Sequence, residues 1–202
     1  MDEAALTDHP IHVLLASRRS PYGFADRDVD PSDLRSLFEA ARWAPSSYNE
    51  QPWSYIVATK ANAAEFERLL SCLVEGNQGW AKAVPVLALG CTSQNFKLNG
   101  KPNAAAVHDL GLASASLTFE AMSRGLYVHQ MIGILPDKAR EVYGIPDHSR
   151  AVTGIAIGYA GAGAELPDAL RQRDSAPRTR KPLAAFVFGA RWGEASEVVA
   201  ER

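Results

Sequence analysis

The longest regular pattern in the chain is a helical one that runs from Asn103 to Arg124 and stops at Gly125. Its apolar stripe is set among small residues. The stripe consists of Val107, Leu110, Leu117 and Met122, and the small residues are Ala104, Ala105, Ala106, Gly111, Ala113, Ser114, Ala115 and Ser116. Small side chains over several turns let another helix or another chain approach closely. We therefore expect a central core helix or a dimer-forming helix, and the two roles are compatible.

The remaining patterns alternate between helix and strand. Helices are expected at 11–19, from Pro31 to before Pro45, at 61–74 and at 136–143. Strands are expected at 53–59, 84–91, 126–129 and 151–159. The second helix has a strong start, because Asp30 can cap it and Pro31 suits its first turn. This order predicts a layered α+β or α/β fold. With 202 residues, the chain fits one domain over 1–202.

Composition excludes several classes of partner. The net charge of −2 gives no basic field for nucleic acid or an anionic membrane surface. The longest apolar runs are of strand length, and the N-terminus lacks the basic and apolar regions of a signal peptide, so a cytoplasmic location is expected. Cys72 and Cys91 are expected to be buried apolar residues rather than a disulfide.

The sequence contains no convincing nucleophile or acid–base pair. It has no P-loop motif and no G-x-S-x-G elbow, and Gly158, Gly161 and Gly163 do not have dinucleotide-binding spacing. The five histidines are scattered and lack metal-ligand spacing, so no metal site is expected. A cofactor that carries the chemistry is then the leading explanation.

Two basic segments could hold the phosphate of such a cofactor. RRSPYGF covers 18–24 and RTRKPL covers 178–183. The planar guanidinium fork of arginine matches phosphate oxygens, so convergence of the two segments would make a phosphate site. The alternative is that both are ordinary solvated surface charges.

Four segments, in order along the chain, resemble blocks of the FMN-dependent nitroreductase family. RRSPYGF is similar to that family's Arg-Arg/His-Ser-x-Arg/Lys-x-Phe, and 44–53 (APSSYNEQPW) matches its Ala-Pro-Ser-Ser-x-Asn-x-Gln-Pro-Trp. Residues 125–134 (GLYVHQMIGI) resemble the segment that ends in a glycine against the flavin ring. RTRKPL is similar to the C-terminal Lys/Arg-x-Arg-x-Pro block.

The resemblance implies a mixed β-sheet flanked by helices, in an intertwined homodimer with two FMN sites at its interface. It places each site residue by motif. The phosphate and the ribityl chain would contact Arg18, Arg19, Ser20, Arg178 and Arg180. The flavin ring would contact Asn77 and the backbone of Ile132 and Gly133, together with Pro45, Ser46, Ser47 and Asn49 of the other chain. His129 and Gln130 could face the substrate. For His129 the alternative is a buried core imidazole. The loop 95–103 is a candidate substrate-facing segment.

The activity implied is electron transfer from NAD(P)H through the flavin N5 to a small acceptor such as a nitroaromatic or a quinone. Two alternatives stay open here: a flavin-dependent dehydrogenase or dehalogenase reaction, and flavin binding without turnover.

Tyr22 departs from the family pattern, which usually has Arg or Lys at this position near flavin N1 and O2. A positive charge there would stabilise the reduced cofactor, and a phenol brings none. We therefore expect a lower two-electron potential in this protein than in a Tyr22→Arg variant. Redox titration of both proteins tests this, and equal potentials would contradict it.

Overall fold

A four-stranded sheet forms the centre of the computed structural model, which describes residues 4–199. Its strands are β1 (Trp53–Thr59), β2 (Val86–Ser93), β3 (Tyr127–Met131) and β4 (Ser149–Gly158), in the order β1-β2-β4-β3. Each neighbouring pair is antiparallel. The α+β fold is therefore confirmed, whereas the expected mixed sheet is wrong for the described residues. β2 and β3 run in the same direction, but β4 lies between them.

Helices cover both faces of this sheet. The helices are α1 (Val13–Ser17), α2 (Pro31–Arg42), α3 (Ala63–Leu70), α4 (Glu75–Ala81), α5 (Ala106–Ser123), α6 (Pro136–Tyr143) and α7 (Asp168–Ser175). One core cluster joins α2 and α5 to one face of the sheet, and the other joins α3, α4 and α6 to the opposite face. In β2, Val86 and Ala88 belong to the first cluster, whereas Leu87 and Leu89 belong to the second. Burial on both faces explains the continuous apolar run of this strand.

Several helices and strands begin or end at the residues that the sequence predicts. β1 and α6 have the predicted bounds, and Asp30 caps α2 by accepting a 2.7 Å hydrogen bond from the backbone N of Ser32. The long helix begins later than predicted because Asn103 Oδ1 accepts from the backbone N of Ala105 at 3.0 Å, which makes a turn before α5.

Two helical features were not predicted. The helix expected over 61–74 is interrupted, because the backbone N of Val74 donates to Gly133 O at 3.1 Å and a separate α4 follows. α7 was missed altogether, although Pro167 and Asp168 make a reasonable helix start. Within the described part of the chain, no helix is both long and apolar enough to cross a membrane.

Both cysteines are buried and unbridged. Burial raises the pKa of Cys91 to about 11, so its thiol is un-ionised and unreactive near neutral pH.

The two-sided core predicts the effect of truncating a β2 side chain. Leu89→Ala removes a side chain that is 0% exposed, and we expect the free energy of unfolding to fall by about 2–5 kcal/mol. Leu98→Ala is the matched control because Leu98 is 91% exposed, and we expect a change within about 0.5 kcal/mol. Urea unfolding measures both, and equal losses would contradict this account of the core.

Candidate functional site

A groove runs between α5 and β3, an edge strand of the sheet. It consists of two adjoining cavities of about 250 and 240 Å³ that share Gln130. Small residues of α5, namely Gly111, Ser114 and Ala115, line it, so the helix backbone is open to a ligand at this point. Gln130 is fixed by its Nε2, which donates to Ser114 O at 3.1 Å and to Thr118 Oγ1 at 3.0 Å.

One end of the groove is cationic. Arg18 and Ser20 line it, and Arg18 Nη1 donates to Ser20 Oγ at 3.2 Å. Arg178 Nη1 ties the C-terminal segment to this end by donating to Ala16 O at 2.9 Å and to Arg18 O at 2.8 Å. Burial lowers the pKa of Arg18, and the charges of Arg180 and Arg178 lower it further. The guanidinium groups stay charged and repel one another, so an anion bound here would be stabilised.

Arg19 lies apart from this cluster. Its Nη2 donates to the carbonyl oxygen of Asp174, and it lines a different cavity together with that residue. The structure therefore brings Arg18, Ser20, Arg178 and Arg180 together and directs Arg19 to the end of α7.

The other end of the groove is the turn at Ile132 and Gly133. The side chain of Ile132 is 76% exposed. A Cβ on Gly133 would lie 2.5 Å from Asn77 Nδ2, so a side chain at this position would displace the Asn77 amide. Asn77 uses its amide within the chain: Nδ2 donates to Gly133 O at 2.9 Å, and Oδ1 accepts from Trp80 Nε1 at 3.3 Å. Asn77 therefore holds this turn in place, a role the sequence did not indicate.

The two candidate substrate-facing residues of β3 lie on opposite faces of the sheet, as successive strand residues must. Gln130 faces the groove. The ring of His129 packs 4.7 Å from the rings of both Tyr22 and Trp80, and its Nδ1 donates to Pro21 O at 2.9 Å. Burial lowers the pKa of His129. The structure thus places it as a packed imidazole, and the ring of Tyr22 also contacts Trp80, at 5.2 Å.

The loop that contains Pro45, Ser46, Ser47 and Asn49 is strained. Tyr48, Asn49 and Gln51 have φ values of 54°, 56° and 49°, in the left-handed region that most residues avoid. Asp109 Oδ2 accepts from the backbone N of Ser47 at 3.0 Å, and Ser46 Oγ accepts from the backbone N of Gln51 at 3.0 Å. The carboxylate of Asp109, only 2% exposed, is therefore an anchor for this loop.

This loop does not line the groove of its own chain, as far as the described residues show. It precedes β1, whereas the Ile132–Gly133 turn follows β3, and these strands are opposite edges of the sheet. Three strand spacings separate the edges by about 14 Å.

Larger cavities lie elsewhere. One of about 650 Å³ is bordered by Trp53, by Phe96 of the candidate substrate loop and by His148; another of about 760 Å³ lies beside Trp80. We favour the smaller groove as the anion site because the arginine cluster lies there.

Comparison with known proteins finds a matching family model and several similar chains. The Nitroreductase family model matches residues 15–88. A crystal structure described as an oxidoreductase containing FMN is 34% identical and superposes with a TM-score of 0.87, covering 93% of this chain and 96% of the other. An uncharacterised 15.4 kDa protein of Mycolicibacterium smegmatis is 37% identical over 137 residues, which are 67% of this chain and 90% of that protein.

A Streptomyces coelicolor protein with the provisional name NADH dehydrogenase/NAD(P)H nitroreductase is 37% identical over 84 residues, or 42% of this chain and 41% of that one. The family model, the whole-length structural similarity and the shared sequence lead to one conclusion: the chain belongs to the nitroreductase family.

Proposed function

We propose that the protein is an FMN-dependent oxidoreductase that passes electrons from NAD(P)H to a small acceptor such as a nitroaromatic or a quinone. The observation that carries the proposal is Arg18 at one end of a groove lined by small residues, with the charges of Arg178 and Arg180 close to it. The 34% identical structure described as containing FMN supports the choice of cofactor.

The residues present fit a flavin mononucleotide. Arg18, Ser20 and Arg178 would bind the phosphate, because repulsion among the guanidinium groups makes an anion favourable there. The Ile132–Gly133 turn, held by Asn77, would border the ring. FMN, when bound, supplies hydride acceptance and donation at N5, while the chain supplies binding and orientation. The exposed Ile132 side chain offers an apolar contact to a planar substrate.

The proposal includes a homodimer in which each groove is completed by the partner. The loop with Pro45, Ser46, Ser47 and Asn49 does not line the groove of its own chain and is held in a strained form, which supports a role at another chain's site. Near the other end of the chain, exposed apolar side chains such as Phe186, Trp192 and Val198 would be covered by a partner.

An absorbance spectrum before and after anaerobic addition of NADH or NADPH tests the activity. The expected result is a yellow protein that the nicotinamide bleaches and that a quinone or nitroaromatic recolours. A yellow protein that neither nicotinamide bleaches would favour flavin binding without turnover or a different electron donor. A colourless protein with no affinity for FMN would overturn the proposal.

Removing an arginine from the cluster should weaken FMN binding selectively. We expect Arg178→Ala to raise the Kd for FMN at least about tenfold, because a hydrogen-bonded charge pair with phosphate is lost. The Kd for riboflavin, which lacks the phosphate, should change little. Arg35→Ala on the exposed face of α2 is the control. Equal effects on FMN and riboflavin would contradict the phosphate assignment.

Mixing two defective variants tests whether one site is built from two chains. Arg18→Ala removes a phosphate ligand, and Asn49→Gly removes a loop side chain while keeping a backbone that glycine adopts readily at φ 56°. Each variant alone should bind FMN poorly. A refolded equal mixture should regain about a quarter of the wild-type sites, because half of the dimers are hybrids with one intact site each.

No recovery in the mixture would show that both residues serve the same chain's site. If the Asn49→Gly variant alone bound FMN as tightly as the wild type, Asn49 would not be part of the FMN site.

A further inference from the structure

The segment that carries the phosphate ligands has no regular secondary structure of its own. It follows α1 and covers 18–23, before Phe24 forms an isolated bridge with Ala160. Its conformation therefore depends on bonds to distant parts of the chain. These include the bonds of Arg178 to the carbonyls of Ala16 and Arg18, and the bond from His129 to Pro21 O.

Asp174 makes the most direct attachment to this segment. Its Oδ1 accepts from the backbone N of Tyr22 at 2.9 Å, and its Oδ2 accepts from the backbone N of Gly23 at 2.8 Å. The attachment joins residues about 150 positions apart in sequence. Arg19 adds a bond from the other side by donating to the Asp174 carbonyl.

The position of Asp174 is unfavourable without these partners. It lies in the last turn of α7, where the helix dipole disfavours a carboxylate and where carbonyls lack helical partners. The two amides offset the charge, and Arg19 satisfies the carbonyl. Gly23 also lets the backbone at Gly161 pack against this segment, because a Cβ there would lie 2.9 Å from Gly161 O.

We propose that Asp174 is the positioning residue of the phosphate site: through the amides of Tyr22 and Gly23 and the side chain of Arg19, it fixes the 18–23 segment so that Arg18 and Ser20 face the groove. The proposal rests on the proposed FMN function. Asp174 lines a different cavity from Arg18 and Ser20, so it acts on the phosphate through the segment and not by contact.

Whether Asp174→Asn strengthens or weakens FMN binding distinguishes a positioning role of Asp174 from a direct effect of its charge. If Asp174 influenced the phosphate only through its own charge, Asp174→Asn would remove a repulsive anion and strengthen FMN binding. If it positions the segment, the same substitution weakens FMN binding, because the amide NH2 that replaces one carboxylate oxygen would face a backbone N–H that the carboxylate accepts.

The test measures Kd values for FMN and riboflavin, with the thermal midpoint of each apoprotein. For Asp174→Asn we expect the Kd for FMN to rise at least about tenfold and the Kd for riboflavin to stay nearly constant. Asp168→Asn is the matched control, since Asp168 is an exposed carboxylate of the same helix that pairs with Arg171. Amide exchange at Tyr22 and Gly23 should accelerate only in the Asp174 variant.

Unchanged or tighter FMN binding by Asp174→Asn would overturn the proposal, as would an equal loss of riboflavin binding. If Asp174→Asn does not fold, Asp174→Glu is the deciding variant, because it keeps the charge but moves the carboxylate. The ratio of the riboflavin Kd to the FMN Kd should then still fall, and an unchanged ratio would overturn the proposal. A wild-type protein that binds no FMN would instead defeat the proposed function.

Discussion

Burial of both faces of the sheet is the constraint on which the rest of the structure depends. β2 and β4 lie in the middle of the sheet, and most of their residues are buried. Helices must therefore cover both sides, with α5 on one side and α3, α4 and α6 on the other. The edge strand β3 is left beside α5, and the groove forms where small residues of that helix leave room.

The groove is held from both ends of the chain. Arg178 bonds to carbonyls near the end of α1, and Asp174 bonds to amides of the following residues. The N-terminal segment supplies Arg18 and Ser20, and the C-terminal segment supplies the bonds that orient them. The cationic end of the groove is thus built by contacts between distant parts of the chain. The opposite end depends on one amide side chain, that of Asn77, and on a glycine that leaves room for it.

The sequence predicts elements whose determinants are local. α2 and α6 begin at prolines, and α6 ends at Gly144 with φ 62°, so their bounds are readable from nearby residues. The break between α3 and α4 is not, because it depends on a bond from Val74 to a carbonyl about 60 residues away. The antiparallel arrangement of the sheet cannot be predicted from local sequence for the same reason, because the order of the strands depends on pairing between segments far apart in the chain.

The site shows the same division. Motif and chemistry together predict the basic segments, and the structure brings Arg18 and Arg178 together. The side-chain orientations of Arg19 and His129 depend on tertiary contacts, with Asp174 and with Trp80 respectively. No local sequence pattern predicts these orientations. Asp109 belongs to none of the sequence motifs, yet it anchors the strained loop. Its burial follows from its place on the core side of α5, among Ala106, Leu110 and Ala113.

The central claim is that one flavin site requires two chains. Sedimentation velocity, recorded at the visible absorbance of bound FMN, tests this most directly. The account predicts that all bound flavin sediments with a species of two 21.8 kDa chains, at one FMN per chain. Flavin that sediments with a single 21.8 kDa chain at wild-type affinity would contradict it.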